Sequence, residues 1–514
     1  MANTQVVKQE NTTDSDIVSM DELVALCKRR GFIFPASEIY GGINGFWDFG
    51  PLGVLLKNNL RDRWWHDMVI APPIGPDGEP LQILGVDSAI IQNPKAWVAS
   101  GHVGGFSDPM VDCRVTKKRY RQDHLTAVID EKNDQILAFY EEEVEEKANL
   151  KKIKKVTGTD ELDKLKVVPF ISIAPSDYDK VIGPDAKEKG TLTEPREFNL
   201  MFETKIGALA TDDNKAYLRP ETAQGIFLNY KNIVDNMRVR VPFGVAQVGK
   251  AFRNEVNPRN YIFRGREFEQ MEMEWFCPPE DAKKWHDFWI ETRKEWWKSV
   301  GLSDENILMR PHDIDELVHY AKAGFGTVDV EYKFPFTAPG YGELEGIAHR
   351  TDFDLKAHEE HSGKKMEYFD DIEKRRFIPH VIEPAAGLTR GVLAILAEAY
   401  TKDESRPSKM YMNFKPSLAP IKAAVLPLVN KDGMPEVAQE LYLSLRNSFV
   451  TEYDAKSNIG KRYARHDEIG TPFCITVDSE TLNDKAVTIR HRDTMAQERV
   501  PLDKVKEFIE AAIK

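Results

Sequence analysis

Residues 252–276 read FRNEVNPRNYIFRGREFEQMEMEWF. Arginines, carboxylates and aromatic rings are interleaved, a mixture that suits a ligand both charged and flat. The segments FGVAQVGKAFRNE and YIFRGREFEQMEMEWF have strand length and β-type residues, and NPRN between them is a turn signal. Successive side chains of a strand point to opposite faces. Alternation therefore puts Gln247, Arg253 and Glu255 together on the first strand, and Arg264, Arg266, Phe268, Gln270 and Glu272 together on the second. Arg264 to Phe268, and Phe268 to Glu272, would each span about 13 Å. An adenine ring stacked on Phe268 would send its phosphates towards arginines and leave carboxylates for a cation beyond. A solvated hairpin with cross-strand ion pairs fits the same alternation.

Three other stretches carry chemistry. HVIEPAAGLTRGVLAILAEAY (380–400) reads as strand, small-residue turn and helix. Ala385, Ala386 and Gly387 let a ligand approach the backbone closely. Arg390 falls in the first helical turn, where the macrodipole disfavours a cation and favours an anion, and an exposed Arg reaching for a surface carboxylate fits the same position. YLRPETAQGIFLNY (217–230) has Pro220 and Glu221 at a helix start, both ordinary capping choices. GELEGIAHRTDFDL (342–355) puts Glu343 and Glu345 on one strand face, a pair that suits nucleotide-borne Mg²⁺ or a solvated strand.

These segments need a scaffold. The chain has 514 residues, enough for two to four domains. Hydrophobic content of 41% and charged content of 30% fit a globular protein, and no apolar run approaches a membrane span, so no membrane partner is expected. Four scattered cysteines form no CxxC pair, which argues against zinc and disulfides and for a reducing, cytoplasmic compartment. With a net charge of −13, any nucleic-acid contact needs locally gathered cations. Residues 1–16 read as a disordered tail. A helix is predicted from near Asp21 and another over 53–69, after the Gly-rich GGINGFWDFGPLG. Residues 125–190, with EEEVEEKANLKKIKKV, read as a charged helical insertion flanked by loops, and 350–380 as a second polar insertion. A Pro-containing linker (406–420) ends the large unit, 17–415, and an alternating α/β domain occupies 418–514.

Together these segments resemble the class II aminoacyl-tRNA synthetases, specifically glycyl-tRNA synthetases of the single-chain homodimeric type. FRNE followed by RGREF is similar to motif 2 of that class, and GLTRGVLAIL to motif 3. The helix 53–69 and the segment ending at Pro94 are similar to motif 1, the dimer element. YLRPETAQGIF, EIYGGINGFWDFGPLG and SGHVGGFSDPMVDC are the glycyl-type signatures. The implied fold is α/β (α+β): an antiparallel-sheet catalytic domain with helices, an inserted subdomain and a C-terminal α/β anticodon-binding domain.

The implied reaction joins glycine to ATP, releasing pyrophosphate, and passes glycyl to the 3′ end of tRNA(Gly). Mg²⁺ enters with ATP, and the implied assembly is a homodimer. Carried over by motif, Arg253 contacts the α-phosphate, Glu255 the adenine amino group, and Arg264 and Arg390 the outer phosphates. Phe268 stacks on adenine, with Asn254, Phe263 and Gly387 also at the nucleotide. Glu343, with Leu344 beside it, marks the Mg²⁺ end. Glu221, Glu272 and Glu383 receive the glycine ammonium near Ala385 and Gly387, and Arg121 is placed on the carboxylate side. Two positions depart from the family pattern: Ala385 stands where Glu-Pro-Ser is usual, and Gly265 where a β-branched residue is common. Synthetases for threonine, serine or proline are one alternative, weakened by RPETAQGIF. The accessory subunit of a mitochondrial DNA polymerase shares the fold without the reaction, but would lack the motif arginines.

Overall fold

The computed structural model describes residues 18–140, 144, 146–207, 214–336 and 340–513. The expected tail, 1–16, lies outside the described residues. The first helix spans Met20–Arg30 and is closed by Ser19 rather than Asp21. The Ser19 hydroxyl accepts from the Glu22 amide, and the Glu22 carboxylate accepts from the Ser19 amide.

The large unit is built on one twisted sheet. In chain order its elements are α1 (Pro51–Trp65), β1 (Ile83–Gly85), α2 (Ala223–Met237), β2 (Phe243–Phe252), β3 (Glu267–Cys277), α3 (Ala282–Ser299), β4 (Ile307–Pro311), α4 (His319–Ala323), β5 (Thr327–Lys333), β6 (Tyr341–Thr351), α5 (Phe353–Ser362), β7 (His380–Gly387) and α6 (Leu388–Ala399). The strand order is β4-β5-β6-β7-β3-β2-β1, and every pair is antiparallel except β2–β1. The helix α1 continues as a wider turn over His66–Ile70, so one rod covers the stretch expected at 53–69.

Alternation along β3 divides the two sides of the sheet. Met271, Met273 and Trp275 face a core closed by Leu56 and Leu60 of α1, Trp289 and Trp297 of α3, and Val392 of α6. Phe268, Gln270 and Glu272 face the other way, over the open side of the sheet. Further along that side, α2 packs Ala223 and Phe227 on Val245 and Phe276.

The hairpin is shorter than its sequence indicates. Tyr261–Phe263 form a 3₁₀ turn, and the strand begins at Glu267. Positive φ at Asn260 and Tyr261 breaks the extended run. Arg253, Asn254, Glu255 and Arg264 therefore sit on the loop between the strands. Gly265 is also off the strand: a Cβ there would lie 3.1 Å from the Gly45 carbonyl, and the next amide, Arg266, donates to that carbonyl. Close backbone approach accounts for the glycine.

Residues 125–182 are not loops around one helix. Four strands, ordered Lys166–Pro169, Leu125–Asp130, Gln135–Tyr140 and Val181–Ile182, pack with the helix Lys147–Thr157 over a separate core including Leu137, Phe139, Ile153 and Phe170. The two central strands are buried on both faces, so no polar alternation announces them. The expected insertion at 350–380 is also not set apart. Leu355 of α5 and Met366 join the core beneath α2, and Arg350 lies within the last residues of β6.

After the hairpin Tyr400–Lys402/Met410–Met412 come β8 (Ala423–Pro427), α7 (Met434–Leu445), β9 (Thr451–Tyr453), α8 (Ile459–Ile469), β10 (Phe473–Val477), β11 (Ala486–His491), β12 (Gln497–Pro501) and α9 (Val505–Ala512). The sheet order is β9-β8-β10-β11-β12, with a core of its own. The architecture is thus mixed α/β with antiparallel sheets dominant, ending in a small α/β domain.

Candidate active site

A cleft of about 430 Å³ opens on the free side of the sheet. Arginines and rings line one end and buried carboxylates the other. Arg253, just past β2, donates from Nε to the Pro220 carbonyl (3.1 Å). Its guanidinium lies between the rings of Phe106 and Phe268, 5.3 and 5.4 Å from their centroids. Arg390 donates to the carbonyls of Phe263 and Glu343 (3.1 Å each) and to the Glu343 carboxylate (2.9 Å). These acceptors answer the unfavourable position of a cation in the first turn of α6. Burial tends to raise the Glu343 carboxyl, but Arg390 holds it below its ordinary range. Phe263 faces Arg390 at 4.6 Å and packs on Phe334 and Phe336. Arg264, Glu255 and Gly387 complete this end.

The other end is built from strand register. Gly346 of β6 pairs with Ala385 of β7, Ala385 with Glu272 of β3, and Glu272 with Gln247 of β2. One step along, Ala348 pairs with Glu383. The floor therefore has small residues beside two acids. Glu221 joins them from the start of α2, with His102 Nε2 at 3.3 Å and Gln224 donating to it. Burial raises the Glu272 acid to about 8, helped by Glu383 and Glu221, and Thr222 donates its hydroxyl to it. Glu383 is raised by burial too, whereas His102 holds Glu221 low against the same effect. At the centre lies Arg350, donating to Asp354 from Nε and Nη2 (2.7 and 2.9 Å) and to Glu383 from Nη1 (2.8 Å). Tyr320 covers its guanidinium at 4.5 Å.

Four expectations change. Leu344 points into the core. Register slips where Val330 faces Glu345 and Glu331 faces Glu343, so Leu344 is the extra residue of a bulge. The same bulge parts the two acids expected to pair. Glu343 stays at the cleft, while Glu345 turns to Arg293 Nε (2.6 Å) and Trp297 Nε1 (2.7 Å) in the core. Arg121 is bound to Asp123 and Asp108 outside the cleft lining, because β-pairing of 119–121 with 110–112 carries it to a side sheet. Asn254 lines a neighbouring cavity with Phe198 and Lys118, held there by its amide bond to the Leu200 carbonyl (2.7 Å).

His102, Tyr320, Arg350 and Asp354 were not singled out from the sequence. An Arg and an Asp four apart in HRTDFD are a usable signal, but only once the bulge puts Arg350 on the cleft side. The helix α8 of the C-terminal domain turns inward in part. Arg462 and His466 are buried, and Arg462 donates to the carbonyls of Pro427, Asp454 and Leu428.

Residues 422–512 match the family model described as an anticodon binding domain. Over 96% of its length the chain is 50% identical to a glycine–tRNA ligase of Rhodopirellula baltica, covering 99% of that protein. It is 46% identical to the glycine–tRNA ligases of Bifidobacterium longum and Lysinibacillus sphaericus, again over 96% of its length and over 93% and 98% of theirs. A cleft with cations at one end and buried acids at the other thus stands in a chain that matches these relatives nearly end to end, and the chain belongs to the glycine–tRNA ligase family.

Proposed function

We propose that the protein is an ATP-dependent glycine–tRNA ligase of class II architecture, working as a homodimer in the cytoplasm. The observation that carries this reading is the two-ended cleft in a chain of this family. In the first step a glycine carboxylate oxygen attacks the α-phosphorus of ATP. The new O–P bond gives glycyl-adenylate, and the bond to the bridging oxygen breaks to release pyrophosphate. In the second step the terminal ribose hydroxyl of tRNA(Gly) attacks the glycyl carbonyl carbon, and AMP leaves.

Arg253 is proposed to meet charge that builds on the reacting phosphate, with Phe268 stacking adenine beside it. Arg264 and Arg390 take the outer phosphates, Glu255 the adenine amino group, and Gly387 leaves room for the nucleotide. Glu343 is a hard oxygen donor at the phosphate end, as the Mg²⁺ of the Mg·ATP substrate requires. That ion would neutralise phosphate charge; the chain's own part is to place and screen the reactants. Glu221, Glu272 and Glu383 are proposed to accept the glycine ammonium. No covalent enzyme intermediate is needed.

The C-terminal domain, 418–514, is proposed to read the anticodon while 17–415 carries the chemistry. Exposed Ile70 and Ile74, at and just past the end of the α1 rod, support a second copy there. Among the described residues no helix is long and apolar enough to cross a membrane. The presence of Arg253, Arg264 and Arg390 in the cleft favours catalysis over a binding-only relative. Glycine-dependent exchange of labelled pyrophosphate into ATP tests the proposal. Arg253→Ala should slow exchange by about 10²–10³ in a folded protein; near-normal exchange refutes that role.

A further inference from the structure

Beneath the acids that face the cleft lies one the reaction does not use. Glu274 is wholly buried. On β3 and β7, Glu272 pairs with Ala385 and Trp275 with Ile382, so Glu274 stands opposite Glu383 on the same side of the sheet. One oxygen from each of Glu272, Glu274 and Glu383 lies within 4.8 Å of the others. Like charges directly opposite across strands repel, and burial strengthens the repulsion.

No ion pair relieves it. Both carboxyl oxygens of Glu274 lack a hydrogen-bond partner. Arg350 already spends Nε and Nη2 on Asp354 and Nη1 on Glu383. Across the ladder β2 presents Val245, clustered with Ala223 and Phe227 of α2 and Leu355 of α5. The titratable groups around it are Glu272 on its own strand, Glu383 on β7, Arg350 on β6 and Asp354 on α5, with Glu221 and Tyr320 beyond. Carboxylates outnumber guanidiniums in this set, so ionising Glu274 would add a charge that nothing nearby compensates.

We propose that Glu274 is a positioning residue kept as a neutral carboxylic acid, holding a proton against Glu383 so that Glu383 keeps its charge for the substrate amine. This rests on the reading of the cleft given above. A neutral acid offers a hydroxyl donor across the strands, where an ionised one offers only repulsion. Burial, more than the neighbouring acids, pushes the group well above the usual carboxylate range.

Four measurements on the full chain decide it. Infrared difference spectra at about pH 9, where Glu272 is mostly ionised, should show the carbonyl band of a buried carboxylic acid that Glu274→Gln removes. The same band in both proteins, or in neither, overturns the proposal. Glu274→Gln keeps the size, the neutrality and a donor, so the KM for glycine in pyrophosphate exchange should stay within about twofold; a rise above about tenfold means that the native group carries charge. Glu274→Leu lacks the donor and should raise that KM by about tenfold or more with little change in kcat. A normal KM there overturns the positioning role. If neither variant folds, the band in the native protein decides, and its absence refutes the proposal. Stabilisation of the ligand-free native protein by Ca²⁺ alone, abolished in Glu274→Gln, would assign the acids to a cation and also overturn it. If the native protein runs no glycine-dependent exchange, the reading of the cleft fails while the infrared result still judges the proton.

Discussion

Arg350 gives the sharpest test of how the carboxylate end is held. Arg350→Met keeps much of the side chain's length and removes its charge. Three charge-assisted hydrogen bonds vanish, two to Asp354 and one to Glu383, and both acids stay buried. Removing one partner of a buried ion pair typically costs about 3–5 kcal/mol, because the remaining charge is left without compensation. Every 1.4 kcal/mol is tenfold, so the folding equilibrium should fall by about two to three and a half powers of ten. The chain has separate cores and need not unfold in one step, so the loss belongs to the transition of the large unit. The C-terminal transition serves as an internal reference and should move little. Activity should respond in a defined way. Without the guanidinium, Glu383 takes up a proton more readily and attracts an ammonium less, so the KM for glycine should rise by about tenfold or more, most at low pH. Arg350→Lys restores one charge but not the fork that spans Asp354 and Glu383, and should fall between. An Arg350→Met protein with native unfolding and native KM would refute the account of this cluster.

Four further outcomes are expected. Glu272 is raised to about 8 in the free protein, and an adjacent ammonium favours its ionised form, so glycine binding should release a proton. The KM for glycine should then fall by up to about tenfold per unit as pH rises towards about 8 and level off beyond; a flat profile refutes this. The same acid binds its proton more tightly folded than unfolded, so its contribution makes ligand-free stability fall as pH rises from about 4.5 to about 8, which denaturation at several pH values checks. Ala385→Ser should lower the KM for glycine by up to about tenfold without changing discrimination against alanine, and an unchanged or higher KM means that Ala385 is not at the ammonium. A fragment ending at Pro420 should make glycyl-adenylate and charge tRNA poorly, whereas charging at the full chain's rate means that the tail is not the anticodon reader. The cut cannot fall at Lys415, because Leu418 and Ala419 are buried in the main core and Asn59 donates to both their carbonyls.

The cationic, aromatic end of the cleft was legible as a cluster because its residues are unusual for their setting. Arg390 in the first turn of α6 and Arg253 between two rings stand out by residue type and position, although Arg390 finds acceptors within the chain in the carbonyls of Phe263 and Glu343 and the Glu343 carboxylate. The small C-terminal domain was legible because each of its elements is bounded by turn residues and keeps one period. The carboxylate end was not. Arg350 and Asp354 fall in a stretch whose charge density reads as surface, yet both are buried, and each hides the other's charge. Composition cannot distinguish a buried ion pair from two solvated charges. The inserted sheet was missed for the opposite reason: LTAVID and QILAFY are short apolar runs without alternation, set between charged segments. The hairpin was read too long because strand-type residues continue through a turn that only backbone conformation reveals.

The bulge at Leu344 matters most to what the cleft can select. Without the extra residue, alternation from Glu343 would put Glu345 and Ile347 over the cleft and turn Gly346, Ala348 and Arg350 into the core. With it, the order is reversed: Gly346 and Ala348 line the cleft beside Ala385, and the bulky residues go under α3. The low part of the floor is therefore main chain and methyl groups of hydrogen-bonded strands rather than the tips of long side chains. Long side chains yield to a larger ligand by changing rotamer, which limits discrimination of one methylene to about 1–3 kcal/mol in an adaptable pocket. A floor of paired strands lacks that freedom, because lowering it would break ladder bonds on both sides. The acids next to it are also constrained, Glu383 by Arg350 and Glu272 by Thr222. On the proposed reading, an ammonium gripped by these acids is pressed against a surface that cannot retreat, and glycine is the amino acid that asks for no retreat.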